Sequence, residues 1–115
     1  MRRRPPQGWY PRRGEVYLVG LGNPRPALII SVDALNRHAA DVCLVPITSV
    51  AHQRFLSTRI PIQAGEGGLR ADSWAKCDQV TTLAKTYLQF PPLGTLSPAA
   101  LRAVQEKIAL ALGLI

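Results

Sequence analysis

Two short apolar runs decide the reading of this chain: Arg25-Pro26-Ala27-Leu28-Ile29-Ile30-Ser31 and Val42-Cys43-Leu44-Val45-Pro46-Ile47-Thr48-Ser49. Each is apolar enough to be a central strand, and each carries a polar residue at one end. Antiparallel neighbours place the start of one strand beside the end of the other. Arg25 and Thr48 would then meet at one rim of a sheet, a guanidinium and a hydroxyl suited to holding a phosphate. The competing reading is structural: an arginine capping backbone carbonyls and a threonine ending a strand.

Upstream, Glu15 to Leu21 is rich in β-branched and aromatic residues and predicts a first strand. Gly20-Leu21-Gly22-Asn23-Pro24 is a turn-forming link into Arg25. Between the two runs, Asp33 to Ala40 is short and polar, a loop with at most one helical turn. Pro46 cannot donate to a ladder, so its amide side must meet an edge, a bulge or an open site. Thr48 to Gln53 reads as a polar loop.

Downstream, Thr58-Arg59-Ile60-Pro61-Ile62 alternates apolar and polar residues and, with its proline, marks an edge strand. Gly65, Gly67 and Gly68 make a wide turn, and Asp72 to Val80 holds a further strand or pair of strands. Leu83 to Gly94 reads as irregular, with Pro91-Pro92 blocking helix. The end is an amphipathic helix: Ser97 as N-cap, Pro98 at the first position, Leu101, Val104, Ile108 and Leu112 on one face, and Gly113 closing it. The fold class is mainly β, a strongly bent sheet of short antiparallel strands under one C-terminal α-helix.

The chain has 115 residues and nearly half are hydrophobic, enough for one domain with a real core. Residues 1–13 read as a basic arm, broken by prolines and carrying Trp9 and Tyr10, and 14–115 as a single domain. The apolar runs are too short to span a membrane, and Arg2, Arg3 and Arg4 lead into prolines rather than an apolar signal core, so the expected location is the cytoplasm. Cys43 and Cys77 read as small buried residues. A net charge of +7 points to an anionic partner, nucleic acid first, although much of it sits in the arm.

Several chemistries are missing from the inventory. The two histidines, His38 and His52, form no metal-ligand spacing with each other or with the cysteines, so neither metal nor cofactor is expected. There is no phosphate loop and no serine elbow. His38 or His52 as a general base competes with either as a plain surface histidine. What remains is Arg25 and Thr48, with Ser49, Asn36, Gln53, Arg54 and Gln79 as polar neighbours. RNA suits such a site, because its own 2′-hydroxyl is the nucleophile and the protein need only position and neutralise the phosphate.

Read together, Arg13-Gly14-Glu15-Val16-Tyr17, the run from Arg25 to Ser31, Val45-Pro46-Ile47-Thr48-Ser49, the block from Trp74 to Leu83 and Leu93-Gly94-Thr95-Leu96-Ser97 resemble, in order, the MazF/PemK family of toxin endoribonucleases from type II toxin–antitoxin systems. The resemblance implies an SH3-like barrel of the CcdB/PemK kind, working as a homodimer. It implies metal-independent cleavage of single-stranded RNA at a short sequence, leaving a 2′,3′-cyclic phosphate and a 5′-hydroxyl, with translation and growth inhibited. An acidic MazE-like antitoxin is the implied partner, the two together able to bind operator DNA.

Position by position, Arg25 matches the family's catalytic arginine and Thr48 its catalytic threonine. Arg25 would protonate the leaving 5′-oxygen or stabilise the phosphorane, and the high arginine pKa favours the second. Gln79 matches a position placed to contact a base. Ser49, Asn36, Gln53 and Arg54 join it as substrate contacts on loop placement. The loop Gly20 to Pro24 lacks the acidic residue some relatives carry there, which leaves the general base unnamed. Gyrase poisons of the CcdB type share the fold class but act through a terminal tryptophan-glycine-isoleucine. This chain ends Leu112-Gly113-Leu114-Ile115, with no tryptophan after Trp74. A non-catalytic RNA-binding module is the third reading.

Overall fold

Seven strands and two helices follow one another as β1 (Glu15–Val19), β2 (Arg25–Ile29), α1 (Asp33–His38), β3 (Asp41–Thr48), β4 (Arg59–Ile62), β5 (Ser73–Lys76), β6 (Thr81–Ala84), β7 (Leu88–Thr95) and α2 (Pro98–Ala111). The computed structural model describes residues 3–20, 22–50 and 58–115. All strand pairs are antiparallel, and the path through the sheet is β4-β5-β3-β2-β1-β7, with β6 pairing beside β3.

The two apolar runs are central, as their composition requires. Their period-2 alternation feeds two cores on opposite faces of the bent sheet. Leu28, Val45 and Ile47 face one core with Val16, Ala75, Cys77 and Leu96, and α2 covers it with Val104. Ala27, Ile29, Val42 and Leu44 face the other, with Tyr17 and Leu88, closed by Trp9, Val19 and Leu83. This is the strongly bent sheet of short strands under one helix that the patterning predicts, with the mainly β class that the resemblance implies.

β3 is long because it serves two partners. It pairs with β6 from Asp41 to Leu44 and with β5 at Ile47 and Thr48. Pro46 falls in the gap between those two ladders, where a residue without an N–H is tolerated. Pro61 likewise lies in β4, an edge strand.

Five sequence readings are corrected in detail. Asp33 to Ala40 contains a six-residue helix rather than a single turn. The first strand stops at Val19, and Gln79-Val80 belongs to the connection ahead of β6. The segment expected to be irregular holds β7, eight residues long. Pro91 and Pro92 are tolerated because the β1–β7 register jumps there, from Leu18↔Gln89 to Val16↔Gly94, and a bulge needs no donor at that point. Finally, Leu112 is half exposed and caps α2 instead of extending its apolar face.

The α2 boundary is otherwise as its residues dictate. Ser97 Oγ accepts from the Ala100 N–H at 3.2 Å, with Pro98 following, while the Glu66 carboxylate accepts from the Ser97 N–H and hydroxyl. Arg13 ties the helix to the sheet. Its Nε donates to the Ile30 carbonyl at 3.1 Å and its Nη2 to Gln105 at 2.6 Å. Among the described residues no helix is long and apolar enough to cross a membrane.

Candidate active site

The site grows from one cross-strand register. β2 pairs with β3 at Ala27↔Pro46, Leu28↔Val45 and Ile29↔Leu44. Continued two residues outward on each strand, that register sets Arg25 opposite Thr48, at the ends of β2 and β3. Both side chains then lie on one face, since directly opposed residues of an antiparallel pair do. Arg25 is exposed and Thr48 half buried, so a ligand can reach both.

The same row continues across the sheet. Thr48 is paired with Trp74 of β5, and Trp74 with Pro61 of β4. Two residues along β5, on the same face, Lys76 is paired with Arg59. Arg25, Thr48, Trp74, Lys76 and Arg59 therefore share one face of the sheet, three cations around a hydroxyl and an indole. Arg59 is the unusual member. Its Nε and Nη1 are buried, and neither has a hydrogen-bond partner among the described residues. Buried donors are ordinarily paired, and an unpaired charged group is costly.

Thr48 is held in a defined state. The Val50 N–H donates to its Oγ1 at 3.2 Å, which leaves the hydroxyl proton free to donate outward. Ser49 follows it, exposed. Gln79 is also exposed, just past β5, where its own N–H donates to the Lys76 carbonyl at 3.0 Å. Gln53 and Arg54, with His52, lie outside the described residues.

Asn36 requires a correction. It is fully buried in α1, its amide donating to the Ser31 carbonyl at 2.9 Å and its carbonyl accepting from the Ser31 hydroxyl. It fixes the β2–α1 turn from inside and offers nothing to a substrate. His38 is exposed, the surface histidine of the two sequence readings. It ends α1, at the far end of β2 from Arg25 and of β3 from Thr48. Eight residues of strand separate the ends of β3, roughly 23 Å at about 3.3 Å per residue. His38 is therefore out of reach as a base for a phosphate held by Arg25 and Thr48.

The remaining titratable groups are structural. Tyr17 is fully buried, with its hydroxyl donating to Glu15 Oε1 at 2.8 Å; burial first, then that bond, push its pKa well above the ordinary phenol range. Burial, with the nearby Asp78 charge, pushes the Cys77 thiol up to about 11. Among the described residues no three of His, Cys, Asp or Glu gather in a way that could hold a metal ion.

Arg59, Lys76 and Trp74 were missed from sequence. Trp74 and Lys76 lie in the block that carries the resemblance, and the alternation of β5 would have put them on Thr48's face. Nothing local marked Arg59, whose place depends on how β4 registers against β5.

The chain is a small, mainly β protein: a strongly bent antiparallel sheet with one C-terminal helix and a cationic rim where its two central strands end. The family model of PemK-like, MazF-like toxins of type II toxin–antitoxin systems matches residues 12–112, and the chain belongs to that family. Endoribonuclease MazF4 of Mycobacterium tuberculosis strain H37Rv is 34% identical over 105 residues, covering 90% of this chain and 94% of that protein. A mycobacterial endoribonuclease solved in complex with its cognate antitoxin superposes with a TM-score of 0.78 at 34% identity, covering 91% of this chain and 97% of the other. A MazE–MazF structure from Deinococcus radiodurans gives 0.77 at 23% identity, covering 91% and 97%, a likeness of fold.

Proposed function

We propose that this toxin-family endoribonuclease cuts single-stranded RNA, mRNA above all, at a short sequence and without a metal. The observation that carries the reading is the shared rim of Arg25 and Thr48, backed by Lys76 and by Arg59, which has two buried nitrogens unpaired among the described residues. The 2′-hydroxyl of the substrate attacks the adjacent phosphorus. As the 2′-O–P bond forms the 2′-oxygen gives up its proton to water, the P–O5′ bond breaks, and the 5′-oxygen takes up a proton from water, giving a 2′,3′-cyclic phosphate and a 5′-hydroxyl.

Arg25 holds two non-bridging oxygens and stabilises the charge they gain in the phosphorane. The Thr48 hydroxyl, already accepting from Val50, donates to one of the same two oxygens. Arg59 completes its hydrogen bonds on a neighbouring phosphate, and Lys76 adds charge beside it. Trp74 gives a base a stacking face, and Gln79 and Ser49 offer polar contacts to bases. A single strand fits better than a duplex, because only splayed bases can stack on such a face.

The relatives suggest the partners. The reading includes a homodimer in the cytoplasm, neutralised by an acidic antitoxin that covers the cationic rim and joins it in binding operator DNA; the antitoxin is supported by a fold neighbour solved with its cognate antitoxin. A gyrase poison is disfavoured by the presence of both Arg25 and Thr48.

The test uses a long RNA in excess EDTA. Wild type should cut at discrete sites and leave cyclic-phosphate ends, and Arg25→Ala and Thr48→Ala should each cost at least about a hundredfold, as loss of a transition-state donor does. Retardation of RNA without cutting would instead make the protein a binding module. Inhibition of supercoiling with RNA intact would favour the gyrase reading.

A further inference from the structure

A second cationic feature lies on the opposite flank of the sheet from Arg59. A cavity of about 560 Å³ is lined by Arg3, Arg4, Pro5, Trp9, Lys85, Thr86 and Leu88. Three of these residues are cationic and none is acidic. The size suits a nucleotide-scale ligand.

The arm builds this cavity by joining the sheet. The Arg3 N–H donates to the Phe90 carbonyl at 2.7 Å in a bridge beside β7, and its guanidinium lies 5.7 Å from the centre of the Phe90 ring. Pro11 is fully buried, and Trp9 stands edge-on to Tyr17 and Phe90 at 6.1 and 6.0 Å. Trp9 divides this cavity from a neighbouring one that contains Glu15. That carboxylate is already engaged, accepting from the Tyr17 hydroxyl and the Arg12 N–H. Lys85 makes only a long contact, its Nζ to the Arg37 carbonyl at 3.4 Å.

Register connects the cavity to the catalytic rim. Leu88, which lines it, is paired with Val19, and Val19 is paired with Arg25. The three side chains share one face, so cavity and rim lie two strand spacings apart along the sheet, about 10 Å. A single strand gripped at Arg25 reaches the cavity within a few nucleotides.

We propose that this groove is an accessory subsite for single-stranded RNA flanking the cut. Arg3, Arg4 and Lys85 hold backbone phosphates there while Trp9 takes a base. The proposal rests on the RNA-cleaving reading of the rim and extends it to substrate length. Continuity with Arg25 and an indole among the cations favour RNA over an acidic peptide, since an aromatic platform between phosphate-binding cations is how single strands are held.

The full-length protein tests it with Arg4→Ala/Lys85→Ala, two side chains that are not in the core, and with Arg4→Lys/Lys85→Arg as the charge-preserving control. The minimal RNA that wild type cuts, found by trimming a long transcript, is compared with the same RNA extended by four nucleotides on either side. Wild type should favour the extended RNA on one side by about tenfold or more in kcat/KM, roughly what a lost base stack is worth. The alanine pair should remove that preference while cutting the minimal RNA normally, and the control pair should restore it.

Binding to the all-2′-deoxy extended strand, which has no nucleophile, gives a readout independent of cleavage. The slope of log K against log salt should shrink by about 1.4 for the alanine pair, at about 0.7 per phosphate lost. If that slope changes but wild type cuts no RNA, the groove stands and the nuclease reading fails. If wild type cuts RNA but slope and length preference are unchanged in the alanine pair, the groove proposal is overturned. Unchanged RNA kinetics with weaker inhibition by an acidic peptide would also overturn it, and assign the cavity to a protein partner.

Discussion

Arg59→Met separates function from stability at one residue. Two nitrogens of this guanidinium are buried without a hydrogen-bond partner among the described residues, and its cross-strand neighbour is Lys76, another cation. A buried unsatisfied donor costs about 1–3 kcal/mol, and like charges directly opposed on a sheet add to that. Methionine keeps the length and apolar stem of the side chain and removes both penalties. Arg59 is only half buried, so water recovers part of the cost, and a net gain of about 1–2 kcal/mol is the reasonable expectation. For a domain of this size that raises the melting temperature by roughly 5–10 °C.

Cleavage should move the other way. A hydrogen bond to a charged group is worth about 1.5–3 kcal/mol, which converts to a roughly 10- to 150-fold loss. Because Arg59 sits two residues from the Thr48 row, on a neighbouring phosphate, it grips substrate and transition state alike. The loss should fall on KM, with kcat changed only a few-fold. Thermal melts and steady-state cleavage of one defined RNA measure both. A lower melting temperature would refute the idea that Arg59 is a strained, unpaired charge. An unchanged KM would refute its role in holding phosphate.

Three further predictions rest on observations elsewhere in the fold. Asn36→Ala should cost about 1–3 kcal/mol in denaturant unfolding, because Ser31 loses its buried partner, yet leave cleavage per folded molecule unchanged; lost activity in a fully folded variant would return Asn36 to the substrate. A Cβ on Gly68 would lie 1.9 Å from the Leu93 carbonyl oxygen, whereas one on Gly65 meets nothing within 4 Å, and both have positive φ. Gly68→Ala should therefore cost about 3 kcal/mol or more and Gly65→Ala about 1 kcal/mol, and equal melting temperatures would disprove the close approach. Cys77 ordinarily titrates at 9.0 and at about 11 when folded, so above pH 9 the unfolded chain holds fewer protons and stability falls as pH rises. That contribution is intact below pH 9 and lost through about pH 11; Cys77→Ala should flatten the decline by up to about 1.4 kcal/mol per pH unit across that window, and parallel curves would contradict it. Tyr17 shifts the same way and continues the decline above pH 10.

The parts of the fold that were legible in the sequence are those fixed by local rules. α2 is bounded by a side-chain cap and a proline, signals that act within one turn. β2 and β3 were visible because both faces of each are buried, and Pro46 and Pro61 announced a ladder gap and an edge. β7 was missed because two prolines argue against a strand, and only the β1 partner, with its register jump, makes them acceptable. Asn36 was misjudged because its place was taken from proximity in sequence. The antiparallel pairing that sets Arg25 beside Thr48 puts the β2–β3 link, and α1 with it, at the opposite end of both strands.

The same distinction explains what was legible at the site. Arg25 and Thr48 could be paired because one antiparallel contact between two recognisable strands places them, and an error of a single residue in that register would have sent one of them into the core. Arg59 needs two further pairings, β3 with β5 and β5 with β4, and the last depends on a strand of only four residues. Its signal is energetic: two buried side-chain donors without partners among the described residues, whose other buried side-chain polar atoms are satisfied. A cost of that kind is retained where a ligand removes it, and next to Arg25 and Thr48 the ligand whose oxygens match a guanidinium is a phosphate. On the reading proposed above, this arginine would take a second phosphate of the strand whose scissile phosphate sits at Arg25 and Thr48, and the KM of Arg59→Met decides it.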